Sequence, residues 1–136
     1  MDGNKAVFAV LGDLLSAEQR SLLLRLPECS PFVGGLGESR LRDLRRAARE
    51  NTEHVAWLTE AIVERGGTPV AAVADPRTAS LHYASLDYLL SRIAPDERRL
   101  LAACESALES DIDRAACDLI RRIAARHREH LAVLGE

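Results

Sequence analysis

The chain has 136 residues, enough for one domain spanning 1–136 with a sizeable core. Hydrophobic residues make up 47% and charged residues 29%, which excludes disorder, and a formal charge of −3 gives no general drive toward nucleic acid or an anionic membrane. Aromatics stand at only 4% beside abundant Leu, Ala, Arg and Glu, a mix that favours helices over sheets.

Cys29, Cys104 and Cys117 form no Cys-x-x-Cys pair and are odd in number. That argues against a disulfide framework and for a reducing compartment. The opening Met1-Asp2-Gly3-Asn4-Lys5 lacks the features of a signal peptide, and the apolar runs are too short to span a bilayer. The expected setting is cytoplasmic, without a membrane.

A first helix is expected from Lys5 to Leu26. Val7, Leu11, Leu14, Leu15 and Leu22 recur at helical spacing. Glu18 falls at the centre of their stripe, where a carboxylate must be paired, protonated or metal-bound. A shift of register, or a covering arginine, would also account for it. Pro27 through Gly37 reads as a connection, with Phe32 and Val33 capping the core.

A second helix is expected from Ser39 to Arg65, with Leu44, Ala47, Leu58, Ala61 and Ile62 inside. Asn51 and His54 share that face, Glu50 sits at its edge and Glu53 points away. Arg40, Arg42, Arg45, Arg46 and Arg49 read as a solvated face that pairs with Asp43, Glu50 and Glu53, ahead of a basic patch for a partner. Gly66 and Gly67 fit a C-cap, and Pro69 blocks further helix. Val70 to Ser80 shows no periodicity; extended, residues 66–80 reach roughly 50 Å. A helix of this size is about 40 Å long, so the segment can cross a whole bundle.

A third helix is expected from Leu81 to Glu109. Its stripe of Leu86, Leu90, Ile93, Leu100, Cys104 and Leu108 passes through Pro95, so one kinked helix is expected. Glu97 lies on the stripe as a second inward carboxylate, or else as an acidic residue at a helix start after the proline. His82 and Tyr83 read as core or edge residues. After a turn at Ser110-Asp111, with Asp111 as N-cap, a fourth helix is expected from Ile112 to Leu134. Ile112, Ala116, Ile120, Ile123, His127, Leu131 and Leu134 form its stripe, with His130 at the flank.

Long helices, a short first connection, a long second one and a tight third describe an all-α, antiparallel four-helix bundle with a crossover between its second and third helices. The pattern resembles the ferritin-like superfamily, including bacterioferritin and rubrerythrin. The likeness is strongest over His54, Leu58, Ile62 and the exit Gly66-Gly67-Thr68-Pro69. It implies two metal ions between the helices, each bundle half supplying a lone Glu and a Glu-x-x-His pair. Glu18 occupies the first lone position. His54 and His130 match the two histidines, but Asn51 and His127 stand where that pattern has glutamates. Reflecting the His127 level through the turn lands near Ala94 and Ser91, with Glu97 one turn further as a substitute. The bridging carboxylates are therefore broken.

Two readings follow. One is a metal-free bundle that has lost its di-iron centre and works as a binding or structural module, with a protein partner or self-association as a homodimer through anchors such as Trp57 and Leu26. The other is a metalloprotein, an oxidoreductase or metal carrier, in which Glu18, His54, His127 and His130, with Glu97, hold a single Fe, Zn or Mn ion. Nucleic-acid binding through the second-helix arginines is disfavoured by the acidic charge and scarce aromatics. No nucleophile–base motif, phosphate loop or dinucleotide fingerprint is present, and Gly34-Gly35-Leu36-Gly37 reads as a loop.

Overall fold

The computed structural model describes residues 2–24, 37–70 and 86–135. These form four helices: α1 (Asp2–Gln19), α2 (Gly37–Glu64), α3 (Leu86–Leu108) and α4 (Arg114–Val133). There is no strand among the described residues. The described residues are all-α, and none of these helices is long and apolar enough to cross a membrane. Helix α1 packs on α2 and α3, and α4 packs on α2 and α3.

The first helix stops earlier than Leu26. Helix α1 ends at Gln19, and a 3₁₀ turn follows over 22–24. The ladder tightens at Ser21, whose N–H donates to the Glu18 carbonyl at 3.1 Å, and the next N–H, that of Leu22, leaves it for Asp96 on α3 at 2.9 Å. Leu22 and Leu23 are still buried, so the apolar stripe outlasts the helix.

Helix α2 ends as its glycines foretell. Gly67 N–H donates to the Ile62 carbonyl and Gly66 N–H to that of Val63, both at 2.9 Å, with Gly66 at φ +81°. This is a Schellman closure, which needs a left-handed residue where Gly66 stands. Helix α3 runs through Pro95 as expected. Pro95 is exposed, so water can reach the carbonyl of Ser91, also exposed, that loses its N–H partner. Helix α4 begins later than expected: Asp113, not Asp111, is the N-cap, accepting from Ala116 N–H at 2.8 Å. Arg65 fixes that carboxylate from the end of α2, at 2.9 and 3.3 Å.

The connections at 25–36 and 71–85 lie outside the described residues. So do Leu26, Phe32, Val33, His82, Tyr83, the start of the third helix at Leu81, and most of the expected crossover.

The buried apolar residues fall into two clusters. One contains Val7, Leu11, Leu15, Leu58, Ile62, Cys104, Ile120 and Ile123; the other contains Leu22, Leu23, Leu41, Leu44, Ala48 and Ile93. Between them in sequence, on every helix or at its end, sit buried polar residues: Glu18 and Ser21, Asn51 and His54, Asp96 and Glu97, His127 and His130.

Candidate metal centre

Each helix delivers its polar residues through its own apolar stripe. Glu18 lies one turn beyond Leu14 and Leu15, His54 one turn before Leu58, Glu97 one turn beyond Ile93, and His127 one turn beyond Ile123. The stripes are buried, so the polar residues are buried with them. Glu18, His54, Glu97, His127 and His130 are each 3% exposed or less.

His127 is the hub. Its Nε2 meets Glu18 Oε1 at 2.5 Å, and its Nδ1 makes a very short contact with Glu97 Oε2. A carboxylate only accepts, so the ring donates from both nitrogens and is an imidazolium. Burial opposes that charge, but the two flanking carboxylates outweigh it and hold the imidazole up at about 9. Burial likewise pushes Glu97 upward, and its contacts with His127 and His130 override this to bring it to about 2. Glu18 is lowered in the same way, its burial outweighed by His127 and His54.

His54 is different. Neither of its ring nitrogens has a hydrogen-bond partner. Its Nδ1 lies 3.7 Å from Glu18 Oε2, beyond hydrogen-bond range, and that oxygen is unpartnered too. Burial dominates His54 and lowers its pKa despite Glu18 nearby, which keeps the ring neutral and its lone pair free. The ring sits among Trp57 at 5.4 Å, His127 at 5.1 Å and His130 at 6.3 Å between centroids.

His130 donates from Nε2 to Glu50 at 3.2 Å, leaving Nδ1 unpartnered, 3.5 Å from Glu97 Oε1. Glu50, 21% exposed, also pairs with Arg126 at 3.1 Å. Arg126 and Arg122 lie over the Trp57 ring, at 5.0 and 4.6 Å.

The expected ligands all reach this layer, but not around one point. Glu18, His54 and His127 offer donor atoms within 4.8 Å of one another, and so do Glu97, His127 and His130. Glu97 itself, rather than Ala94 or Ser91, faces His127. Asn51 stands beside the ligands: its amide donates to Glu97 Oε1 at 2.8 Å and to Ser21 Oγ at 3.0 Å. Its place on the inner face of α2 was readable, but its partners were not. Asp96, buried at 5% and bound to Arg99 at 2.6 Å, was not anticipated, because its role depends on where α1 ends. Glu53 is exposed, as its place off the stripe requires, and lies 3.7 Å from Arg126.

No protein-family model matches this sequence, and neither a curated protein nor a solved structure matches it.

The donor set suits a borderline divalent ion. Imidazole and carboxylate together serve Zn(II), Fe(II) and Mn(II), whereas Ca(II) and Mg(II) want oxygen alone. Burying an unsatisfied polar group costs about 1–3 kcal/mol. The orphaned atoms of His54, Glu18 and His130 are the ones a metal would satisfy.

Proposed function

We propose that this protein is a metalloprotein that holds a divalent transition-metal ion between its helices, in a ferritin-like bundle without a carboxylate-bridged di-iron centre. The observation that carries this reading is His54. It is a fully buried, neutral imidazole with two unpartnered nitrogens, beside an unpartnered carboxylate oxygen of Glu18. Glu18, His54 and His127 would hold the ion. When bound, it supplies Lewis acidity and, as iron or manganese, one-electron redox capacity. The chain's own residues exclude water and bulky substrates from the ion, since every proposed ligand is buried. The role that fits is holding or transferring the metal, or reaction with very small solutes.

The order of the two apolar clusters along each helix supports the ferritin-like topology. Along α1 and the turn after it, Val7 to Leu15 of the first cluster precede Leu22 and Leu23 of the second. Along α2 the second cluster comes first, Leu41 to Ala48 before Leu58 to Ile62. Helix α3 follows α2, with Ile93 before Cys104. Helix α4 follows α1, its Ala116 to Ala124 preceding Leu134 at the second cluster. Two parallel helices in succession, α2 and α3, call for a connection that runs back along the bundle, which is the expected crossover.

The reading as a surface-acting module has less behind it. Trp57, one expected anchor, is half-buried beneath two arginines.

The test is metal content. Protein purified without chelator or added metal should carry at least one zinc, iron or manganese ion per chain. Metal-stripped protein should take up Co(II) with an intense visible d–d spectrum, and His54→Ala should weaken that spectrum. Protein that stays metal-free and takes up no Co(II) would sink the proposal.

A further inference from the structure

We propose that the layer is built for two metal ions, with the imidazole ring of His127 between them as a shared ligand. This rests on the metal-binding reading above and goes beyond it in number and in bridge. The two groups of candidate ligands, Glu18 with His54 and Glu97 with His130, have only His127 in common. They meet that ring at opposite nitrogens: Glu18 at Nε2 and Glu97 at Nδ1. The two nitrogens of one imidazole face away from each other, so a single ion cannot be held by both. A lone ion must therefore leave one group of ligands unused.

The unpartnered atoms are divided in the same way. Among the candidate ligands they are Glu18 Oε2 and both nitrogens of His54 on the Nε2 side and His130 Nδ1 on the Nδ1 side, where the amide oxygen of Asn51, bound to Glu97 through its nitrogen, is unpartnered too. One ion explains one set and leaves the other unexplained. His130 is also prepared as a ligand. Its Nε2–H is tied to Glu50 at 3.2 Å, which fixes the tautomer and turns the free Nδ1 toward Glu97. A carboxylate bridge is not available here, because the His127 ring separates Glu18 from Glu97. The bridge has passed to the residue that stands where the resemblance would place a glutamate.

The proton balance is simple. In the metal-free layer His127 carries a proton on each nitrogen. As the two ions bind, both protons leave to solvent, and two nitrogen–metal bonds replace two N–H bonds. No electrons move.

Cu(II) is the probe, because two coppers sharing an imidazolate couple antiferromagnetically and lose electron paramagnetic resonance intensity. Metal-stripped protein should retain two coppers per chain after desalting, and the signal of the first equivalent should fall as the second is added. His54→Ala and His130→Ala should each retain one copper with a full, uncoupled signal. His127→Gln should show no coupling at any loading. Retention of one copper, or of two uncoupled coppers, would overturn the shared ligand and leave the single-ion reading standing. Retention of none would overturn both. The titration of the unmodified chain decides the matter even if a variant fails to fold.

Discussion

At the scale of single residues, the layer's chemistry is set by His127 and its two carboxylates. In the metal-free protein His127 titrates at about 9, above its ordinary 6.5, so it stabilises the fold fully below 6.5 and loses that contribution as pH rises through 9. Glu97 titrates at about 2, below its ordinary 4.5, so its contribution is present above 4.5 and fades as pH falls toward 2. His54 works the other way: its lowered pKa means that acid favours the unfolded chain, beginning below 6.5. Urea midpoints measured from pH 5 to 10 should therefore fall on the alkaline side, and His127→Gln should flatten that limb. A midpoint independent of pH between 6.5 and 9 in the parent would refute the imidazolium assignment. Asn51 gives a second expectation. Asn51→Leu removes the donor to Glu97 and Ser21 and should cost the metal-free protein about 1–3 kcal/mol in urea unfolding, whereas Ser21→Ala should cost less. An Asn51→Leu protein as stable as the parent would mean that water replaces the amide. These residues were largely visible in the sequence, since Glu18, Asn51, His54, Glu97 and His127 interrupt an apolar stripe and His130 flanks one. Their pairing was not visible. Which nitrogen meets which carboxylate depends on the relative heights of four helices, and periodicity says nothing of height.

At the scale of elements, sequence signals succeeded where a stop is local and failed where it is tertiary. Gly66 ends α2 through its own backbone, and its role was readable. With φ +81° and open space around an added Cβ, Gly66→Ala should cost about 1–2 kcal/mol from backbone strain alone. Gly67→Ala meets a different obstacle. Its Cβ would lie 2.7 Å from the Phe8 ring and 2.9 Å from Ile62, so its cost of about 1–3 kcal/mol comes from overpacking between α1 and α2. Phe8→Ala should relieve the second variant and not the first, which a double-mutant cycle on thermal midpoints would reveal. Equal relief of both would contradict the two causes. The end of α1 has no such local mark. Leu22 and Leu23 extend the apolar pattern, yet the ladder tightens at Ser21 and the Leu22 N–H goes to a carboxylate from α3. The choice between Asp111 and Asp113 as N-cap was equally hidden, since both residues suit the position and Arg65 from α2 favours the second.

At the scale of the whole molecule, the question is why a bundle should divide its core with a layer of charge. Buried ion pairs seldom stabilise more than a well-packed apolar replacement, while removing one partner is severely destabilising. Glu18, His127 and Glu97 form such a group, linked through one ring and buried between two apolar clusters. Two measurements then separate folding from function. In metal-free protein, Glu18→Met alone should lose about 3–5 kcal/mol, because His127 keeps a proton with one counterion gone. Glu18→Met, Glu97→Met and His127→Leu combined should be as stable as the parent or gain up to about 4 kcal/mol. Adding Zn(II) at a hundred times its dissociation constant should stabilise the parent by about 2.7 kcal/mol per site. It should do nothing for the triple variant. That pattern would identify the layer as a feature kept for its ion at the expense of the fold. If the triple variant instead loses as much as its single changes summed, the hydrogen-bonded layer is itself what aligns the four helices, and binding a metal is not needed to explain it.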